Sequence, residues 1–353
     1  MSLILGIETS CDECSASVLR HEGGEYTPLS VSTYSQIELH QPFGGVVPEV
    51  ASRNHLEQIE PVIQDALLKA RIEATEVDAI AVTNRPGLIG ALLVGVTAAK
   101  ALAYALQKPL VPVHHLEGHL MSAFLKSPNA DCLKPIFPAV FLMASGGHTH
   151  LHWVETKPEQ WNEHLLRDSI YGRSVDDAAG EAFDKTAKIL GFPYPGGRWI
   201  DEEARKGGDP SAFELPRGLK QRDSHDFSFS GLKTAVALMV DRLKREGVLE
   251  KAFPDVCASI QEAIVEPLVK KTLHLQRTKH AKSIVVVGGV AANSRLRRLF
   301  EQQSDVPVIY PDLQYCTDNA AMIAAAGAVR FAQGRFLSRD EFLKLNAFAI
   351  AES

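Results

Sequence analysis

The chain opens on a short, unbroken apolar run, LILGIETS, which the polar stretch CDEC interrupts before SASVLR resumes it. An apolar run too short for a helix, followed at once by a small and polar turn, predicts a buried strand, a turn and a returning strand, which is a hairpin. VDAIAVTNRPG repeats the buried-strand pattern and is closed by Pro86-Gly87. From Leu88 to Leu106 apolar residues occupy most faces of a helical period, which predicts a core helix.

The second half begins the same way. FPAVFLMASGGHTHLHWV is an apolar strand, a small-residue turn at Ser145, Gly146 and Gly147, and another strand. Behind it the pattern predicts a helix from Asp177 to Leu190, long helices between Leu232 and Arg277, and the strand SIVVVGGV. A helix from Asn293, the short strand PVIY and a helix from Thr317 follow. Strands alternating with helices predict an α/β fold, and a strand-turn-strand block heading each half predicts two similar lobes facing across a cleft.

Composition narrows the class. With 353 residues, 45% hydrophobic and 23% charged, the chain can bury a large core and has the length of roughly two domains. Gly90, Gly95, Thr97 and Lys100 interrupt the longest apolar run, which argues against a membrane span, and the first apolar segment is only a strand long, unlike a signal peptide. Five scattered cysteines leave an odd one over and fit a reducing cytosol. Cys11 and Cys14 form a CxxC, read either as redox chemistry, as half a zinc site, or as two unpaired thiols in a turn; no second CxxC accompanies it. The net charge of −6 argues against a broad basic surface that would hold nucleic acid unaided. Basic clusters at Arg295, Arg297 and Arg298 and from Lys270 to Lys282 are either solvated helix faces or local phosphate contacts.

The candidate chemistry concentrates in PVHHLEGHL. His115 and His119 are four apart, so on a helix they share a face and could offer two imidazoles to one metal. A metalloprotease HExxH motif also spaces its histidines by four, but places the glutamate directly after the first. Here Leu116 holds that position, and Glu117, two residues on, points away from the shared face. That disfavours a protease, leaves a third ligand to be found, and makes carboxylates further along, notably Asp318, the candidates. The loops SGGHT and GGVAAN each follow an apolar strand, where glycines let backbone N–H groups approach a phosphate or carboxylate; Asn293 is also a natural helix N-cap. A P-loop is excluded because Val96 follows the Gly90–Gly95 spacing, and Ser145 sits in no GxSxG elbow. In SVDDAAGEAFDKTAKILG, Glu181 with Lys185 and Asp184 with Lys188 are spaced for salt bridges, while Ala178, Ala179, Gly180 and Ala182 allow close packing or ligand approach, with Asp184 free to accept from sugar hydroxyls.

Taken in order, LGIETSCDE, HHLEGH, SGGHT, DDAAGEAFDKTAK, YPGG, DFSFSGLKTAV, GGVAAN and CTDNAAMIA resemble the bacterial tRNA N6-adenosine threonylcarbamoyltransferase family (TsaD), from Leu5 to about Ala326. The resemblance implies an actin-like, Hsp70-like ATPase architecture, two duplicated RNase H-like lobes around a nucleotide cleft. It implies lobes at residues 1–132 and 133–325, with helices at about 326–353 packing back on the first. It implies one divalent metal, iron or alternatively zinc, on His115, His119 and Asp318. Threonylcarbamoyl-AMP would lie on Met143, Ala144, Ser145, Gly146 and Gly147, with Asp184, Gly197 and Asn293. The reaction implied is transfer of threonylcarbamoyl to N6 of an adenosine in tRNA, in the cytoplasm, beside an inactive paralogous subunit and a small ATPase and with no membrane. Glu8, Asp12 and Glu13, projecting from the first turn, are the carboxylates placed to orient the amine. A sialoglycoprotein metallopeptidase and a non-catalytic nucleotide-binding scaffold are the rival readings. Two departures from the family pattern stand out: Arg85 where TxGPGL has glycine, and Cys14 where threonine is common.

Overall fold

In the computed structural model, which describes residues 1–126, 134–219 and 224–349, the opening run is strand β1 (Ser2–Glu8), antiparallel to β2 (Glu13–Glu22), itself antiparallel to β3 (Glu25–Ser35). Helix α1 (Pro48–Ala70) leads to β4 (Ala79–Arg85), α2 (Ile89–Leu106), β5 (Leu110–His114) and α3 (His115–Ser122). The second series begins with β6 (Ala139–Ala144), β7 (Thr149–Val154) and β8 (Ile170–Arg173). Helices α4 (Ala179–Leu190), α5 (Gly197–Ala204), α6 (Ser230–Arg245) and α7 (Leu249–Lys279) follow. Strand β9 (Ser283–Val287), α8 (Ser294–Gln303), β10 (Val308–Ile309) and α9 (Ala320–Ala332) follow, with a short helix, α10 (Arg339–Phe342), whose Phe342 packs into the core of the first unit.

Two five-stranded sheets result, ordered β3-β2-β1-β4-β5 and β8-β7-β6-β9-β10. Each is an antiparallel three-strand meander extended by two parallel strands, β1 against β4 and β6 against β9. The same topology twice over is the duplicated α/β arrangement of actin-like ATPase lobes. One compact unit comprises Met1–Lys134, Lys157–Arg167 and Pro311–Ser353, the other Pro135–Thr156 and Asp168–Tyr310. Residues 132, 133 and 350–353, which carry the expected lobe boundary and chain end, lie outside the described residues. The central strands are buried along their length, β6 and β9 completely, which is why they read as unbroken apolar runs.

Two expectations need correction. Helix α2 is not buried all round. It is the crossover joining the parallel strands β4 and β5, so only one side, with Ala91, Leu92, Val94, Val96, Ala99 and Ala103, enters the core, while Ile89, Leu93 and Tyr104 are exposed. By length and composition alone it could cross a membrane, but its apolar face packs into the core of the first unit. The helix expected from Thr317 starts at Ala320, because Asn319 takes the N-cap and accepts from the Met322 N–H at 3.1 Å. Helix α9 lies hard against β1: a Cβ on Gly6 would stand 2.4 Å from the Ala320 carbonyl oxygen.

Candidate metal centre and candidate substrate loops

Strand β5 runs directly into α3, and His114 caps the new helix by accepting from the Leu116 N–H at 3.2 Å. One turn apart on α3, the rings of His115 and His119 have centroids 4.7 Å apart, nearly perpendicular. Asp318, at the foot of α9, brings Oδ1 to 3.5 Å from Nε2 of His115 and 3.2 Å from Nε2 of His119. One ligand atom from each residue lies within 4.8 Å of the others, so these three can hold a metal ion. Gly118 makes the approach possible, since a Cβ there would fall 2.6 Å from Cδ1 of Ile323 on α9. The candidate metal site is therefore set by packing two helices from distant parts of the chain.

The surroundings suit a borderline divalent cation. Both ring nitrogens of His119 are buried without a hydrogen-bond partner, its 3.2 Å approach to Asp318 being too poorly aligned to count as one. A cation is a partner that one such buried nitrogen can take. His115 is fixed through its other nitrogen: Nδ1 is 3.1 Å from Oε2 of Glu8 and 3.2 Å from Oγ of Ser10. Glu8 in turn accepts from Oγ1 of Thr83 at 2.6 Å and from the Ser10 N–H at 2.5 Å. A carboxylate holding a ligating histidine in place is the usual support of a metal ligand. Burial alone would lower the basicity of His115, but Asp318 and Glu8 outweigh it and push the imidazole up to about 9. Burial would raise Glu8, yet His115 and the hydrogen bonds to it hold this carboxyl below its ordinary value. Two buried imidazoles and a partly exposed carboxylate thus fit a divalent ion.

The three candidate carboxylates of the first turn separate. Glu8 does not project into open space; it is completely buried, and its oxygens are engaged by Thr83, Ser10 and His115. Asp12 is buried with Oδ2 lacking a partner. Burial, reinforced by Asp12 and Asp318, pushes the Glu13 carboxyl well up. Glu117 turns away from the histidines and forks onto Arg330, Oε2 and Oε1 accepting from Nε at 2.9 and 3.1 Å. It cannot activate water between His115 and His119, which removes the geometric basis of a protease.

In the second unit the β6–β7 turn is closed by the Ser145 N–H donating to the His148 carbonyl at 2.8 Å, and Gly146 and Gly147 are exposed. The turn is tied to the start of α4, the Gly180 N–H donating to the Ser145 carbonyl at 3.1 Å. A Cβ on Gly180 would stand 2.6 Å from that oxygen, so the small residues of this helix serve close packing against the turn. Met143 and Ala144 are fully buried members of β6, paired with His150 and Thr149. Asp184 does not bridge to Lys188; its Oδ1 accepts from the Gly196 N–H at 2.7 Å, fixing the turn before Gly197, the first residue of α5. Lys185 does bridge to Glu181, at 2.9 Å, and also to Asp177. Asn293 caps α8, Oδ1 accepting from the Arg295 and Leu296 N–H groups at 3.0 Å each. Of the basic clusters, Arg295 forks onto Glu262 and Lys270 pairs with Glu266.

Sequence reasoning missed Ser10 and Thr83. Nothing in the sequence placed Thr83 beside Glu8, because the contact depends on β1 pairing with β4 in one register. Ser10 lies inside ETSCD and was within reach of a search for a histidine's supporting partner.

The TsaD family profile, described as tRNA N6-adenosine threonylcarbamoyltransferase, matches residues 28–325. A protein of that name from Syntrophomonas wolfei is 46% identical over 350 residues, spanning 98% of this chain and 96% of its own length. Its namesake from Moorella thermoacetica is 47% identical over 352 residues, with 99% and 96% covered. Another, from Anaeromyxobacter dehalogenans, is 48% identical over 347 residues, with 96% and 97% covered. Among solved structures, component A of (R)-2-hydroxyglutaryl-CoA dehydratase from Acidaminococcus fermentans superposes with a TM-score of 0.52 at 16% identity, over 98% of this chain and 100% of its own. HypF from T. kodakarensis gives 0.54 at 14%, over 97% of this chain and 49% of its own. At such identities these two speak for the fold alone.

Proposed function

The chain belongs to the tRNA N6-adenosine threonylcarbamoyltransferase family, and we propose that it moves the threonylcarbamoyl group from threonylcarbamoyl-AMP to N6 of the adenosine beside the anticodon in tRNAs reading codons that begin with adenine. The observation that carries this reading is identity of nearly half the residues, along almost the whole length, with relatives bearing that name. Neither the metallopeptidase nor the scaffold reading has comparable support.

In the reaction the amine nitrogen attacks the carbamoyl carbon, the bond from that carbon to the phosphate oxygen breaks, AMP leaves, and the nitrogen gives up a proton. An aromatic amine is a weak nucleophile, so positioning and charge stabilisation carry the rate. His115, His119 and Asp318 would hold one divalent ion, iron by preference and zinc as the alternative; bound there, it supplies Lewis-acid polarisation and a template. Glu8 is a positioning residue that keeps the imidazole of His115 turned toward Asp318. Asp12, with an oxygen lacking any partner, is the group best suited to take the amine's proton, ahead of Glu13, whose carboxyl is held toward its neutral form. Gly146 and Gly147 would offer backbone N–H groups to the adenylate, with Ser145, Asp184, Gly197 and Asn293 and the strand end at Met143 and Ala144 around it. The lobes at 1–132 and 133–325, the return of residues from about 326, an inactive paralogous subunit, a small ATPase and a cytoplasmic setting belong to the same proposal.

The test is mass spectrometry of tRNA nucleosides after incubation of the chain with an adenylate-forming synthase, threonine, bicarbonate, ATP and the partner proteins. Threonylcarbamoyladenosine that requires this chain is the expected product. Its absence with a complete set of partners would refute the assignment, and metal-dependent cleavage of a glycoprotein by the pure chain would revive the peptidase.

A further inference from the structure

The basic run from Lys270 to Lys282 sorts itself by its contacts. Lys270 pairs with Glu266, and Arg277 reaches Asp305 at 3.2 Å. Lys271 donates from Nζ to the Ser224 carbonyl at 2.9 Å and to the Asp226 carbonyl, which ties the segment before α6 to α7. Lys279, in the last turn of α7, is left over. Its Nζ stands 4.5 Å from the centre of the Tyr171 ring on β8, and no carboxylate meets it among the described residues.

Aromatic rings gather at the same place. Tyr171 meets His225 edge-on, with centroids 6.4 Å apart, and His225 stacks on His274 of α7 at 5.4 Å. Gly172 permits this, since a Cβ there would stand 2.2 Å from the His225 carbonyl oxygen. The Phe227 N–H donates to the Arg173 carbonyl at 2.9 Å, so the His225 segment is held against β8 as well as α7. Tyr171 and His274 are exposed. Burial, with His274, Lys271 and Lys279 close by, holds the imidazole of His225 below its ordinary value, which leaves it an uncharged ring at neutral pH. Asp226, the acid beside it, spends Oδ1 on the Arg173 N–H at 3.0 Å.

Exposed rings beside an ammonium without a counter-charge match what unpaired nucleotides offer, flat base faces and a phosphate for each. A double helix hides its base faces and offers only the phosphates. In a chain of net charge −6 a polyanion needs such a local foothold.

We propose that Tyr171, His225, His274 and Lys279 form a docking surface for unpaired nucleotides of tRNA, with a base stacked on the open face of His274 and a phosphate at Lys279. The proposal rests on the tRNA-modifying reading of the chain, and it uses none of the residues which that reading assigns to the metal or the adenylate.

The full chain is titrated with tRNA by filter binding at rising salt and about pH 8, above the ordinary range of imidazole titration. His274→Ala, His274→Phe and Lys279→Ala are measured beside it. His274→Ala is expected to weaken binding roughly 5–100-fold, the worth of one stacked base, with the slope of log affinity against log salt unchanged. His274→Phe should bind like the parent, because a phenyl ring also stacks, and this excludes a folding defect at an exposed position. Lys279→Ala should flatten the slope by about 0.7, the share of one phosphate of a single strand. As a competitor, polyuridylate should displace tRNA from the parent far better than from His274→Ala, while duplex RNA should not distinguish the two. Absence of saturable binding by the parent at low salt, or parent-like affinity and slope in both alanine variants, would overturn the surface. A flattened slope in Lys279→Ala with parent-like binding by His274→Ala would reduce it to a backbone contact and overturn the unpaired-nucleotide assignment. Failure of the parent to form threonylcarbamoyladenosine would strike the functional reading and leave the binding comparison standing.

Discussion

The two sheets share one strand order, yet the turns that join their first two strands are made of opposite materials. In the first unit the turn after β1 is built from side chains: Glu8, Ser10 and Asp12 are buried, and Glu8 reaches across to Thr83 and His115. In the second unit the turn after β6 is built from backbone: Gly146 and Gly147 are exposed, with no atom near the place a Cβ would take. One hairpin scaffold can thus serve two chemistries. Buried carboxylates orient imidazoles for a cation, because in a low-dielectric interior a charge holds its partner firmly. A glycine turn leaves peptide N–H groups open, which suits an anion.

Breaking the first turn's chemistry should have the largest effect. Replacing His115, His119 or Asp318 by alanine is expected to cut threonylcarbamoyladenosine formation by about 100-fold or more, since on the proposed reading each would supply one of three ligands. Nucleoside mass spectrometry over a time course reads this, and a variant at full rate would overturn the metal role. Glu8→Gln keeps the shape but loses the charge that steadies His115, and should weaken metal affinity by roughly 10–100-fold. Competition with a chelator followed by metal analysis measures it; parent-like retention of metal would reduce Glu8 to a packing residue.

The second turn should respond differently. Gly180→Ala places a Cβ 2.6 Å from the Ser145 carbonyl oxygen, so the turn must move, at a cost of about 1–3 kcal/mol. We expect KM for the adenylate to rise roughly tenfold by the barrier arithmetic of a displaced binding group, with metal content unchanged. A lower metal content with an unaltered KM would contradict the division of labour. The smallest effect concerns pH. Burial, with Arg173 beside the first and His150 beside the second, lowers His150 to about 4 and His152 to about 3. In the unfolded chain both titrate near about 6.5, so below that pH the unfolded state binds more protons and stability falls as pH drops toward the folded values. The slope approaches about 1.4 kcal/mol per pH unit for each imidazole. Denaturant midpoints between neutral and mildly acidic pH should show it, and His150→Gln should flatten the curve; an identical curve would mean another group controls acid stability.

Several of these features were legible in the sequence. Unbroken apolar runs marked β1, β4, β6 and β9, because strands buried on both faces have no polar positions to interrupt them. Strand β3 and helix α1 escaped notice, since TPLSVSTYS and HLEQIEPVIQDALLKA mix polar and apolar residues and bury only part of their surface. Local spacing on α3 exposed the histidine pair and turned Glu117 away from it, as helical geometry requires no tertiary contact. The order of the motifs along the chain was enough to suggest the family.

Long-range packing settled the rest. That Asp318 meets two histidines some two hundred residues earlier depends on α9 packing against α3 at Gly118. That Glu8 supports His115 instead of standing free depends on the pairing of β1 with β4. That Glu117 turns from the histidines to Arg330 depends on α9 packing against α3. Sequence determines what each segment can form and which groups it carries; which distant groups meet, and which are left unpaired, follows from close packing of whole elements, a property that no local window contains.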